Sequence, residues 1–251
     1  MAVTNGLDDH QDSAQNGSHV VESKERSAKE IEVLKLMRAR SMDVKKASKM
    51  FAQHQKWRRE YFPLGHAQED EIKDEIAANK FFIQGHDRTG RPLSFWYGAR
   101  HFGGGNLEQY KIAGGITYCL DKLISSLPPG QEKFVIIADL KGVGYKNLDV
   151  RGWLGAYDFV QAYYPERLGR VYILHPPMIF WASWKLVVPF LDPVIKKKIV
   201  FVDNAKIEET LLADIAKEEL PTACGGLKEM VPFELAHPPN WPQFKAAAVA
   251  T

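Results

Sequence analysis

An α/β fold built around a parallel sheet, with a small helical unit ahead of it, is what the sequence predicts. Three observations carry this. Apolar residues first recur at helical spacing; short apolar runs bounded by turn residues then alternate with helix-length segments; and one run, Phe134-Val135-Ile136-Ile137-Ala138, is apolar throughout. A strand that is apolar on both faces belongs in the middle of a parallel sheet, so this run marks the sheet centre.

The elements follow in order. Ile31, Leu34 and Met37, then Val44, Ala47, Phe51, Trp57 and Tyr61, stand mostly three or four residues apart, and Ser41 and Asp43 are capping residues before the second run. Two helices joined by a tight turn are expected, closed by Pro63. KFFIQG and PLSFWYGA read as two strands with a turn at Asp87 to Gly90. A helix from about Leu107 to Leu127 leads to the central strand, followed by a helix near Val150 to Tyr164 and a strand at Arg170 to Leu174. Then come an apolar helix around Phe180 to Phe190, a short strand Val200 to Val202 and a helix Ile207 to Ile215. Gly103-Gly104-Gly105 lacks both a P-loop Lys-Ser/Thr and a dinucleotide-binding glycine pattern, and reads as a flexible turn.

Composition limits what such a fold can be. The 251 residues and 28.4 kDa allow one or two compact units, and 45% hydrophobic with 25% charged residues is ordinary for a folded soluble chain. Thirty-three Lys plus Arg against 31 Asp plus Glu gives +2, with no long basic stripe, which argues against a dedicated nucleic-acid binder. Two distant cysteines, Cys119 and Cys224, make neither a zinc ribbon nor a disulfide framework and fit a reducing compartment. The first residues lack a secretory pattern, so a cytoplasmic chain is expected. Residues 1–30 hold six acids, three bases and almost no large apolar side chains, and are read as a disordered tail. The apolar stretch Val171 to Leu191 contains Pro176, Pro177, Pro189 and Lys185, which makes it a buried strand, a break and a short helix rather than a transmembrane span.

Markers of common catalysis are missing: no G-x-S-x-G, no H-E-x-x-H and no kinase signature. The eight histidines lack metal spacing, so no metal and no catalytic residue is assigned. What needs explaining is the placement of charges beside apolar stretches, in Tyr163-Tyr164-Pro165-Glu166-Arg167-Leu168-Gly169 and in Phe190-Leu191-Asp192-Pro193 leading to Lys196-Lys197-Lys198. They read either as a helix-end ion pair and solvated lysines or as the polar mouth of an apolar cavity.

The ordered series ADLKG (Ala138 to Gly142), YYPERLG (Tyr163 to Gly169), PFLDP (Pro189 to Pro193) and LP-x-x-x-GG (Leu220 to Gly226), preceded by MRARSMDV-x₁₂-WR (Met37 to Arg58), resembles the CRAL-TRIO family and, within it, the phosphatidylinositol-transfer proteins. The resemblance covers roughly residues 31–231. It implies a helical N-terminal unit over 31–64, a lipid-binding lobe over 75–231 and a C-terminal tail over 232–251. The lobe would have a mixed, mostly parallel sheet as floor and a helical wall enclosing a lipid cavity. It implies no covalent chemistry and no cofactor beyond the bound phospholipid. The family's headgroup contacts fall here on Arg40, Glu166 and Lys198, and a family threonine is replaced by Ile195. A carboxylate accepts from inositol hydroxyls and cations meet the phosphate, so these charges are tolerable when paired.

Phosphatidylcholine-binding members carry polar side chains where this sequence has Phe134, Ile136 and Val160, so poor binding of that lipid is expected. The family's gate helix corresponds to Met178 to Phe190, with Phe180, Trp181, Trp184, Leu186, Val187 and Phe190 as candidate membrane or lipid contacts. Expected partners are phosphatidylinositol or a related lipid, a transient membrane surface and a lipid kinase receiving the lipid, with the carrier acting as a monomer. Two other readings stay open. One is a carrier of a tocopherol, retinoid or sterol. The other is a regulatory interaction module with a vestigial pocket.

Overall fold

The structure, a computed structural model, describes residues 28–67, 69–102, 115–236 and 238. The glycine run 103–105, the first turns of the helix expected from Leu107, the tail before Ala28 and most of the C-terminal tail lie outside the described residues.

Helix α1 (Ala28–Ala39) and helix α2 (Val44–Tyr61) form the N-terminal unit. Their link turns tightly because Ser41 and Met42 adopt left-handed φ of 51° and 63°, and the Asp43 carboxylate caps α2 by accepting from Lys46 N at 3.0 Å. Helix α2 buries Ala47, Met50 and Trp57 and ends at Tyr61, just before Phe62 and Pro63. Helix α1 begins three residues ahead of the sequence expectation. It is tied to the rest of the chain by charge: Glu32 pairs with Lys35 and, at 3.2 Å, with Arg167, while Arg38 pairs with Glu132. A further helix, α3 (Glu69–Ala77), was not anticipated. Its segment is dominated by acids, and only Ile72 and Ile76 mark the inward side.

Five strands, β1 (Phe81–His86), β2 (Pro92–Tyr97), β3 (Phe134–Asp139), β4 (Leu168–Leu174) and β5 (Ile199–Phe201), form one sheet in sequence order. Strands β1 and β2 are an antiparallel hairpin; every other neighbouring pair is parallel, so the sheet is mixed and mostly parallel as expected. Strand β3 is central, with Phe134, Val135 and Ile137 buried. Gly85, in the bulge of β1, has φ 76°, and a Cβ there would stand 2.5 Å from Glu219 O, so no other residue fits this close approach.

The hairpin turn is organised by Asp87. Its carboxylate accepts from Thr89 N at 2.9 Å, Thr89 Oγ1 at 2.8 Å, Arg91 N at 3.0 Å and Arg91 Nε at 2.5 Å. Burial alone would raise its pKa, but the Arg91 and Thr89 donors outweigh it and hold the carboxyl below the ordinary range. The resulting stability is present above the unfolded value of about 4 and is lost as pH falls through the depressed folded value. Asp87→Asn is therefore expected to cost about 2 kcal/mol at neutral pH and to flatten the acid limb of a stability-against-pH curve. An unchanged acid limb would contradict this.

Between β2 and β3 stands helix α4 (Gly115–Ser125), and between β3 and β4 helix α5 (Val150–Tyr163). Helix α6 (Met178–Val187), a 3-10 turn Val188–Phe190 and the short α7 (Pro193–Lys196) connect β4 to β5. The stretch 171–191 is thus strand, break and helix, and no helix among the described residues is long and apolar enough to cross a membrane. Helix α8 (Ile207–Asp214) follows. Side-chain alternation divides the core. Ile83, Phe134 and Ile136 belong to the cluster with Trp57 of α2, Ile116 of α4 and Phe159 of α5, while Phe82, Phe95, Val135, Ile137 and Tyr172 join Leu211 of α8. Beyond Val231 the chain still contributes to the first of these clusters. Phe233 is buried against Tyr118, and its carbonyl accepts from Lys122 Nζ at 2.6 Å.

Candidate functional site

On the α4–α5 side of the sheet the core does not close, and a cavity of about 390 Å³ remains. Its floor follows from the period of two along the strands: Trp96 on β2, Ile136 and Ala138 on β3, Val171 and Ile173 on β4. Its wall follows from helical spacing: Ile116, Cys119 and Leu120 on α4, and Gly152, Trp153, Ala156, Tyr157 and Val160 on α5. Phe180 of α6 closes one side, 6.3 Å from Trp153. Three polar groups in this lining are committed elsewhere. The Asn147 amide donates to the Ala99 and His101 carbonyls, Lys80 pairs with Glu75, and Tyr157 Oη accepts from Asp192 N at 2.9 Å. Burial pushes the Cys119 thiol well above its ordinary pKa, so it stays neutral and unreactive. No group of three or more His, Cys, Asp or Glu among the described residues could hold a metal ion. What remains is an apolar hollow suited to a greasy ligand.

Of the residues expected to line it, Ile136 and Val160 do so. Phe134 does not: it lies at the start of β3 in the packed cluster that includes Trp57 and Phe159, where the helical layer closes over the sheet. Ile195 sits half-buried on α7, also outside the lining.

Charge collects at one edge of the sheet. Lys133, Glu166 and Lys198 stand at or just before the starts of β3, β4 and β5, strands that run parallel, so all three come to the same edge. Glu166 is half-buried with a left-handed φ of 59°, behind the buried Pro165. Lys198 is half-buried too. Burial lowers its pKa, the Glu166 and Asp192 carboxylates act in the opposite sense, and Lys133 adds to the lowering. Glu166 and Lys198 therefore belong to one electrostatic cluster, together with Lys133 and Asp192, which sequence reasoning did not assign. Arg40 stands in a separate depression of about 360 Å³ with Trp57, Ala162 and Tyr163. Its guanidinium donates to the Ala39 carbonyl at 3.2 Å.

Arg167, beside Glu166, is anchored rather than free. It reaches the Glu132 carbonyl at 3.3 Å and the Glu32 carboxylate of α1. Burial would raise the Glu32 pKa, but Lys35 and Arg167 outweigh it and keep the carboxyl ionised below its ordinary value.

The segment read as a gate divides into three groups. Phe180 faces the cavity and Val187 is buried. Trp181 and Trp184 pack on Phe201 of β5, at ring distances of 4.7 and 5.3 Å. Met178, Leu186 and Phe190 are exposed by 86%, 62% and 67%, an apolar set on the outer surface of the cavity wall. The link into α6 bends at His175, whose φ is 51° and whose Nδ1 lies 2.8 Å from Asp139 Oδ1.

Residues 77–226 match the family model described as the CRAL/TRIO domain, more than half of the chain. The chain belongs to the CRAL-TRIO lipid-binding family. A CRAL-TRIO domain-containing protein of Schizosaccharomyces pombe is 30% identical over 212 residues, covering 84% of this chain and 20% of the relative. The phosphatidylinositol transfer protein PDR17 of Saccharomyces cerevisiae is 27% identical over 225 residues, 83% of this chain and 60% of that protein. This CRAL-TRIO chain thus spans a fifth and three fifths of their lengths. The crystal structure of Sfh5 superposes with a TM-score of 0.62 at 21% identity, covering 77% of this chain and 71% of that one, which shows the shared fold.

Proposed function

We propose that this CRAL-TRIO chain is a carrier that takes a phosphatidylinositol-class lipid from a membrane, shields its acyl chains and delivers or presents it elsewhere, without catalysing a reaction. The observation that supports the reading is an apolar cavity on one face of the sheet together with half-buried charges, Glu166 and Lys198, which lie outside the cavity lining where the parallel strands of the same sheet begin. Burying acyl surface at roughly 25 cal/mol per Å² supplies extraction energy. The charged edge supplies headgroup choice, with Lys198 meeting phosphate and Glu166 accepting from inositol hydroxyls; Arg40, in its separate depression, is the further cation the reading assigns to the headgroup. Helix α6 is the moving wall: its exposed Met178, Leu186 and Phe190 enter the bilayer interface as the Phe180 side uncovers the cavity. The carrier works in the cytoplasm, and a lipid kinase is a fitting recipient. The absence of hydroxyls at Ile136 and Val160 disfavours phosphatidylcholine.

Native mass spectrometry of the chain after incubation with mixed-lipid vesicles tests this. Phosphatidylinositol is expected in the wild-type chain, with at least a tenfold loss in Glu166→Ala and in Lys198→Ala, about 1.4 kcal/mol or more. Retention of the lipid by both variants would remove the headgroup assignment. A second reading is favoured by one observation: about 390 Å³ lies near the lower end of the roughly 300–1,000 Å³ typical of small-molecule sites. That volume suits a single-chain or compact apolar ligand such as a sterol, retinoid or tocopherol without gate opening. Recovery of such a molecule, indifferent to both substitutions, decides for it.

A further inference from the structure

Helix α2 presents a second surface that the cavity does not use. Its inward side is Ala47, Met50 and Trp57. At 3.6 residues per turn, Lys45, Lys49, Lys56 and Arg59 fall within an arc of about 80° on the opposite side. All four are exposed. Among the described residues, Lys56 alone of the four has a carboxylate within ion-pair reach, Glu60 at 3.6 Å, and both side chains are more than half exposed. Such a pair is heavily screened. Val44 and Phe51, exposed by 65% and 42%, border the stripe on one side.

The position of this stripe matters as much as its charge. Helix α2 rests on the C-terminal half of α5 through Trp57 stacked on Tyr163 at 4.2 Å, and α6 meets the N-terminal half of α5 through Phe180 and Trp153. The ten residues between Trp153 and Tyr163 span about 15 Å along α5. Stripe and gate are therefore parts of one helical layer. The layer carries exposed cations at one end and exposed apolar side chains at the other.

We propose that the outer face of α2 is a docking surface for an anionic bilayer. A cationic stripe in which, among the described residues, only Lys56 is ion-paired, beside Val44 and Phe51, is the chemistry of an interfacial helix, in which charge attracts acidic headgroups and apolar side chains enter shallowly. A bilayer is also broad enough to meet α2 and α6 together. The inference rests on the lipid-carrier reading only in taking a membrane as the destination; it is independent of which lipid fills the cavity.

Vesicle flotation of the full chain tests it, using phosphatidylcholine vesicles with and without phosphatidylserine. The wild-type chain is expected to partition at least about tenfold more onto the anionic vesicles, with the difference erased at high salt. The combined Lys45→Glu, Lys49→Glu, Arg59→Glu chain should lose that preference, while Lys45→Arg, Lys49→Arg, Arg59→Lys should keep it. The substituted sites are exposed, and an unchanged thermal midpoint verifies folding. Equal partitioning of the charge-reversed and wild-type chains, or indifference of the wild type to phosphatidylserine, would overturn the proposal and leave an acidic protein partner as the occupant. Cavity loading measured in the same samples reports separately on the carrier reading, so the two cannot fail unnoticed together.

Discussion

An Ala156→Trp chain incubated with mixed-lipid vesicles is expected to come back empty. Ala156 is a half-buried residue of α5, one turn from Trp153 on one side and Val160 on the other, and all three line the cavity. An indole at this position projects into a hollow of about 390 Å³ and occupies a large part of it, leaving no continuous path for a chain between the sheet floor and α5. Because the added ring enters open space rather than a filled core, the stability cost should stay within the usual overpacking range of about 1–3 kcal/mol. Lipid loading and intervesicle transfer should both fall more than tenfold, while Asp158→Trp, on the exposed side of the same helix, should leave both intact. The comparison also separates a carrier from a regulatory module with a vestigial pocket. A module would keep partner binding in Ala156→Trp with no lipid phenotype to lose. Full lipid occupancy in the Ala156→Trp chain would sink every reading that places the ligand in this cavity.

Much of this cavity is legible in the sequence, and the reasons for the rest are physical. The floor strand β3 was visible because five consecutive apolar residues cannot face water on either side of a sheet. The break before α6 was visible because Pro176 and Pro177 cannot continue a strand. Helix α3 was hidden because its inward side is two isoleucines among acids, a signal too short for periodicity. The placement of Phe134 was missed for another reason. Phe134, Ile136 and Ala138 share a face of β3, but which of them meets empty space depends on where the N-terminal helices cover the sheet, and that is a tertiary fact. The charged edge is an intermediate case. Lys133, Glu166 and Lys198 lie far apart in sequence, yet each stands at or next to the start of a parallel strand, so a spacing of roughly thirty residues, one strand-helix-strand unit, brings them together. Read with that rule, Lys133 could have been added to the cluster from sequence.

Trp57→Ala is expected to be the most destabilising single change in the N-terminal unit, and its effect should reach the headgroup edge. Trp57 is 5% exposed and packs among five aromatic rings: His54 at 5.7 Å, Phe62 at 5.1 Å, Phe159 at 5.4 Å, Tyr163 at 4.2 Å and Tyr164 at 6.2 Å. Its neighbour Arg58 pairs with Asp121 at 2.7 Å, whose other oxygen accepts from Tyr164 Oη at 2.8 Å, so the same junction is apolar and ionic at once. Removing a buried indole from such a site costs about 3–5 kcal/mol, since the surrounding rings cannot collapse far. For a chain of this length that corresponds to a fall in Tm of roughly 6–20 °C. Trp57→Phe, which keeps a ring, should cost less than half as much. The functional consequence follows from connectivity: Tyr163 and Tyr164 immediately precede Pro165 and the strained Glu166, so loosening their packing frees the turn that aims the carboxylate. At temperatures where the variant is still folded, phosphatidylinositol retention should therefore drop more than binding of an uncharged apolar probe in the cavity. A parallel loss of both ligands would mean that Trp57 supports the lobe as a whole. A Tm within about 2 °C of wild type would mean that the ring cluster does not hold the N-terminal unit to α5.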